Sequence, residues 1–315
     1  MASIVRRTAV ALRRTETGWR FLFNIAPTLW YRRNRPALAG EAPRVLGDLN
    51  RDGVAMVPAA KLLGPVSVYD ELEQEIFRLE NEMAGELAKL RAAAVDASSL
   101  ERKSFLCELL GEKPVLDPGS VFTRFALQDQ ILGIANAYFG MYTRMRAYNI
   151  WHSFVTDAPP RQSQLWHRDR EDRLILKVFV YLCNVDEHTG PFTYAPGTHA
   201  KGPVRRAPES FSENGVNRST DEQMARVVPR DRWITALAPK GTIVFADTHG
   251  YHKGGEARRA DRLLYMCMFT SPASESKELL TRSPAAIRFP DLARTVALAP
   301  PRRKLWLSLP QPADA

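Results

Sequence analysis

The chain has 315 residues, 45% of them hydrophobic, and a formal net charge of +9 at pH 7. That length can bury a full core, and no apolar run approaches the roughly 18 residues of a membrane-spanning helix; the run Phe21 to Phe23 is cut by Arg20 and Asn24. Three widely spaced cysteines, Cys107, Cys183 and Cys267, argue against a disulfide framework and for reduced thiols in a cytoplasmic setting.

The charge is concentrated at one end. Residues 1–35 hold eight arginines against the single acid Glu16, leaving 36 basic and 34 acidic residues elsewhere. The excess therefore belongs to a basic N-terminal extension, residues 1–44, and not to a nucleic-acid groove in the body. The plain reading is a solvated segment packed by Trp19, Phe21, Leu22 and Trp30; the sharper one is a targeting segment or a helix in peripheral contact with a membrane surface.

Beyond it, "LNRDGVAMVP" (49–58) reads as a short strand ending at proline. Leu72, Ile76, Leu79, Met83, Leu87 and Leu90 recur at three and four residues, which predicts one long helix from Val68 to about Arg91, and Leu100 to Leu110 reads as a second. "SVFTRFAL" (120–127) and "MRAYNIWHSFV" (145–155) have strand composition, with a helix over about Asp129 to Phe139 between them. After Trp166 come the β-rich runs 173–185, 232–237, 241–247 and 262–271, separated by Gly and Pro turns. Several strands without intervening helices predict a mainly β fold, a sandwich or barrel of the jelly-roll kind, with flanking helices. The chain divides into the extension, a domain at 45–272 with a helical region at about 65–140 and a jelly-roll core at about 143–272, and a Pro-rich C-terminal extension at 273–315.

The stretch "QLWHRDRED" (164–172) places His167 two residues before Asp169. In extended chain, side chains at i and i+2 leave the same face, so an imidazole nitrogen and a carboxylate oxygen can reach one ion. Downstream, "GTIVFADTHGYHKGGEARRADRL" offers His249 and His252 as a third donor and Arg262 at the start of the next strand. Two histidines and one carboxylate leave open positions on an ion, the arrangement of non-haem Fe(II) oxygenases. An arginine beside such a site can grip the far carboxylate of a 2-oxo acid through its guanidinium fork.

Together, "DGVAMVP", "QLWHRDRED", "LKVFVYLCNVDEHTGPFTYAPGTH" and "KGTIVFADTHGYHKGGEARRADRL" resemble the phytanoyl-CoA dioxygenase family of Fe(II)/2-oxoglutarate-dependent oxygenases. The resemblance is close over 164–264 and loose over 45–272. It implies a double-stranded β-helix core, Fe(II) held by His167, Asp169 and His252, 2-oxoglutarate anchored by Arg262, and consumption of O2 with release of succinate and CO2. The family's spacing favours His252 over His249 and Arg262 over Arg258 and Arg259. Because Asp169 is present, where related halogenating enzymes lack that carboxylate, the resemblance favours hydroxylation of a small-molecule or lipid-like substrate.

Lys177, in the strand "LILKVFVYL", either contacts the co-substrate carboxylate or faces solvent. Gln164, Trp166 and His152 are candidates for the substrate pocket, with core packing the competing role for Trp166 and a satisfied half-buried one for His152. His199 reads as a structural turn residue. Two other classes fit the residues less well: a jelly-roll metalloenzyme using another divalent ion, and a binding module that has lost activity. The primary substrate and the oligomeric state are not written in the sequence.

Overall fold

The computed structural model describes residues 11–13, 15–65, 68–95, 105–274, 277–282, 287, 289 and 291–300. Eleven strands follow one another among them. These are β1 (Val54–Pro58), β2 (Leu106–Glu108), β3 (Arg144–Ser153), β4 (Leu176–Tyr181), β5 (Thr193–Tyr194), β6 (Phe211–Glu213), β7 (Val216–Arg218), β8 (Ile234–Thr235), β9 (Thr242–Asp247), β10 (His252–Lys253) and β11 (Arg262–Thr270). Six of them form an antiparallel sheet in the order β1-β9-β4-β11-β3-β2, and a smaller sheet runs β10-β5-β8.

Both faces of the large sheet are covered, and strand alternation sorts its residues between them. On one face Val45, Leu49, Leu72, Ile76, Phe125, Ile134 and Tyr138 of the flanking helices pack on Ile150, Val178, Val180, Phe245 and Tyr265. The other face, with Ala147, Phe179, Tyr181, Val244, Leu264 and Met266, packs under Phe192, Tyr194 and Ala236 of the smaller sheet. This is the expected jelly roll with helices backing one sheet, without a closed barrel. Each fully buried Leu, Ile, Val or Phe contributes roughly 1.5–3 kcal/mol to holding the layers together.

Several elements differ from their sequence signals. The long helical pattern breaks at Met83 into Val68–Glu82 and Ala84–Val95. In the predicted helix Leu100 to Leu110, residues 100–104 lie outside the described residues, and 106–108 form β2 against β3. The predicted strand at 120–127 is the helix Val121–Ala126, started by Ser120, whose side chain accepts from Thr123 N. Both its faces are buried, so its apolar run carried no period to tell helix from strand.

The described part of the N-terminal extension is docked on the body. Trp19 is buried and its Nε1 donates to Asp172 Oδ1 at 2.7 Å, while Arg20 donates to Phe139 O at 2.9 Å. Phe21, Leu22 and Trp30, expected to pack, are exposed instead. No helix among the described residues is long and apolar enough to cross a membrane.

Candidate metal and co-substrate site

The site forms where an extended segment crosses the end of the small sheet. The backbones of His167 and His252 exchange both hydrogen bonds (His167 N to His252 O, 3.0 Å; His252 N to His167 O, 2.9 Å), setting the two imidazoles side by side with ring centroids 4.3 Å apart. Asp169 N donates to Thr248 O at 2.9 Å, holding the carboxylate on the same side. One donor atom each from His167, Asp169 and His252 falls within 4.8 Å of the others.

The tautomers are set by the backbone. His167 Nδ1 lies 2.8 Å from Leu165 O and His252 Nδ1 lies 3.0 Å from Gly250 O, so each Nδ1–H donates to a carbonyl and leaves Nε2 as the free lone pair. Burial lowers the pKa of both imidazoles, that of His252 to about 4, so both are neutral and able to ligate at physiological pH. Burial alone would raise the Asp169 pKa, but the Lys177 ammonium beside it reverses this and keeps the carboxylate ionised. Two neutral nitrogens and one carboxylate oxygen, convergent within 4.8 Å, fit a divalent transition metal.

The turn that delivers His252 is itself tightly held. Asp247 accepts from Tyr138 OH at 2.7 Å and from the backbone N–H groups of Ile175 and His249, and Tyr194 OH donates to Asp247 O at 2.7 Å. A Cβ on Gly250 would strike the Tyr194 hydroxyl, so only glycine fits there.

These donors open into a cavity of about 520 Å³. Lys177 and Phe179 of β4, Trp151 and Ser153 of β3, and Arg262 and Leu264 of β11 project into it, and Phe192 and Gln164 complete much of the wall. Lys177 thus faces the cavity and not solvent, with Nζ 2.7 Å from Asp169 Oδ2. That is an ion pair by distance, although no hydrogen bond of good alignment reaches this oxygen. Arg262 is buried, its guanidinium donating to Gly190 O and to Ser153 Oγ at 3.4 Å, while its Nε has no partner.

Not every sequence candidate comes to this place. His249 lies outside the three-residue cluster and lines a second cavity of about 820 Å³. Arg258 is tied to Thr156 O, Ala158 O and Glu256, away from the metal donors. Trp166 is wholly buried with Met224, Val228 and Trp233, and its Nε1 donates to Asp221 Oδ1 at 2.7 Å; it is a packing residue and not part of the cavity wall. His152 also misses the cavity, because its neighbours Trp151 and Ser153 take that face of β3. It sits between Asp261 (Nε2 to Oδ2, 2.7 Å) and Glu80 (Nδ1 to Oε1, 2.8 Å, an ion pair without hydrogen-bond alignment). His199 is buried behind the turn, 3.3 Å from Asn50 O.

The residue that sequence reasoning missed is Arg218. It lies on the hairpin β6–β7, which is closed by Asn214 and Gly215 with φ of 50° and 77°. Positive φ at both loop residues is the type I′ pattern, and Asn-Gly between two short polar strands was the signal available for it.

A jelly roll offering two imidazoles, one carboxylate and a buried arginine in one cavity defines the class of mononuclear non-haem iron oxygenases that use a 2-oxo acid. The family model for phytanoyl-CoA dioxygenase (PhyH) matches residues 49–262, and the chain belongs to that family. No curated protein matches the chain. Among solved structures it is similar to the epimerase SnoN in complex with Fe3+, alpha ketoglutarate and nogalamycin RO (18% identity, 73% of this chain and 84% of that one, TM-score 0.45). It is similar too to AviO1 from Streptomyces viridochromogenes Tue57 (18%, 76% and 99%, 0.46) and to EctD from S. alaskensis with 2-oxoglutarate and 5-hydroxyectoine (16%, 79% and 92%, 0.47).

Proposed function

We propose that the protein is an Fe(II)/2-oxoglutarate-dependent dioxygenase that hydroxylates a small-molecule or lipid-like substrate and releases succinate and CO2. The observation that carries this reading is the convergence of His167, Asp169 and His252 with buried Arg262 in a single cavity. When bound, iron and 2-oxoglutarate supply the activation of dioxygen. The chain supplies the rest. His167 Nε2, His252 Nε2 and the Asp169 carboxylate hold the ion, and the Leu165 and Gly250 carbonyls fix how the imidazoles point. The guanidinium of Arg262, steadied by Gly190 O and Ser153, pairs with the far carboxylate of 2-oxoglutarate. Lys177 keeps Asp169 ionised and lines the same cavity. Phe105, Leu106, Trp151, Phe179, Phe192 and Leu264 exclude water and give an apolar substrate its surface.

The reading is tested by supplying Fe(II), 2-oxoglutarate and oxygen-18 gas together with a fractionated metabolite and lipid extract. Succinate carrying one oxygen-18 atom should form, and one compound of the extract should gain the other. Succinate with an isomerised or dehydrogenated product lacking that atom would contradict hydroxylation; no succinate from any fraction would contradict the oxygenase.

A second reading concerns the N-terminal segment. Phe21, Leu22, Ile25, Leu29 and Trp30 are exposed beside Arg32, Arg33 and Arg35, which suits the interface of an anionic membrane. Co-sedimentation with anionic vesicles but not neutral ones is expected, and to be lost in Leu29→Glu/Trp30→Glu; equal sedimentation of that variant would contradict it.

A further inference from the structure

The cavity contains a second buried arginine that the metal and co-substrate do not use. Arg218 is 8% exposed, lines the same cavity as the metal donors, and has neither Nε nor Nη1 in a hydrogen bond. The nearest carboxylate, Glu213 Oε2, stands 3.6 Å from Nε, beyond hydrogen-bond reach, and already accepts from Gln162 N at 2.9 Å. A guanidinium cannot shed its charge at ordinary pH, so two buried, unpaired nitrogens on a residue that lines a cavity are a standing demand for an oxyanion. Burial and the absence of a good partner disfavour its charged form, with Glu213 and Asp169 only partly offsetting this.

Charge balance points the same way. Arg168, Arg170, Lys177, Arg218, Arg262 and a divalent ion face Asp169, Glu171 and the two carboxylates of 2-oxoglutarate, which leaves the loaded cavity with positive charge in excess. On the oxygenase reading one co-substrate carboxylate goes to the ion and the other to Arg262, so neither is left for Arg218. Arg168 and Arg170 line both this cavity and the adjoining one, giving the approach to the site a cationic rim. Phe105, Leu106, Trp151, Phe179, Phe192 and Leu264 give the wall an apolar stretch, among polar Ser153, Gln164 and Asn217.

We propose that Arg218 is the specificity-determining anchor for the primary substrate, which is therefore an anionic small molecule with an apolar body, its carboxylate or phosphate group held by the guanidinium fork. This rests on the oxygenase reading above and deepens it. A neutral sterol or alkane would leave Arg218 as unmatched as it is now. Glu213 then acts as a weak stand-in that an incoming anion displaces.

The test uses the protein loaded with Zn(II) and 2-oxoglutarate, which binds without turnover, and follows its melting temperature and heat of binding against matched probes: hexanoate, phenylacetate and hexyl phosphate, with hexanamide and phenylacetamide as neutral partners. Wild type should bind one or more of the anions and none of the amides, the responding anion telling carboxylate from phosphate. Arg218→Gln should weaken that binding on the order of tenfold to a hundredfold, the value of a charge-assisted pair. Glu213→Gln should tighten it several-fold, a gain that misfolding cannot mimic. Equal response to anions and amides, no response to any anion in wild type, or unchanged anion affinity in both variants would overturn the proposal. In parallel, the anaerobic Fe(II)/2-oxoglutarate absorption band should have the same midpoint in Arg218→Gln as in wild type. A tenfold weaker midpoint would give Arg218 to the co-substrate and overturn the assignment, whereas no band in wild type would overturn the oxygenase reading and leave the Zn(II) binding data standing.

Discussion

Lys177 and Asp169 form the most consequential pair of single residues in the cavity. Both are half-buried, and each depends on the other for its charge: burial alone would lower the Lys177 pKa, and Asp169 reverses that. Removing one member of such a pair leaves an uncompensated charge, which costs about 3–5 kcal/mol in a fully buried pair and less in this half-buried one. Lys177→Met should therefore be destabilised as the metal-free protein. A divalent ion replaces the missing positive charge beside Asp169, so the loss in melting temperature should shrink when Zn(II) and 2-oxoglutarate are added. Equal losses with and without metal would contradict that coupling. At this scale the sequence was readable wherever spacing bears directly on geometry: His167 and Asp169 two apart in extended chain do share a face, and His252 meets them across a backbone bridge. Arg218 was readable only in part, because the Asn-Gly of "SENGVNRS" marks a hairpin but only folding shows that its arginine is buried.

Elements explain the other surprises. On β3 nearly every residue is buried on both faces, so the alternation that would assign His152 and Trp151 to opposite sides of the sheet is hidden in the sequence. The strand places Trp151 in the cavity and turns His152 toward the helix Val68–Glu82, where Glu80 and Asp261 receive it and Arg91 of the next helix joins Asp261. Burial would lower the His152 pKa, but hydrogen bonds and charge from Asp261 and Glu80 outweigh it and raise it from 6.5 to about 9. A base whose folded pKa is raised contributes stability that is complete below the unfolded value and lost as pH climbs through the folded one. The contribution, on the order of 3 kcal/mol, should hence be present below about pH 6.5 and gone above about pH 9. His152→Gln should flatten the decline in melting temperature between those pH values; an unaltered profile would mean the network does not hold helix to sheet. The same element scale accounts for the helix Val121–Ala126, predicted as a strand, five of whose six residues lie in the core while Arg124 alone reaches outward to Glu71.

For the whole molecule, the architecture follows from a sheet with two apolar faces, one met by helices and the other by a small sheet that leaves a cavity at its end. The β-rich runs after Trp166 made the jelly roll legible, since their Gly and Pro turns mark where strands must stop. The face each helix covers was not legible, because that is decided by packing and not by period. The central claim is that this cavity holds iron through His167, Asp169 and His252 and 2-oxoglutarate through Arg262. Its most direct test is an anaerobic titration of Fe(II)-loaded protein with 2-oxoglutarate, followed by the metal-to-ligand absorption band. Wild type and His249→Ala should form the band and His252→Ala should not. Arg262→Lys should shift the midpoint on the order of tenfold to a hundredfold and Arg262→Ala further. A band that survives in His252→Ala and vanishes in His249→Ala, or an unmoved midpoint in Arg262→Ala, would contradict the account.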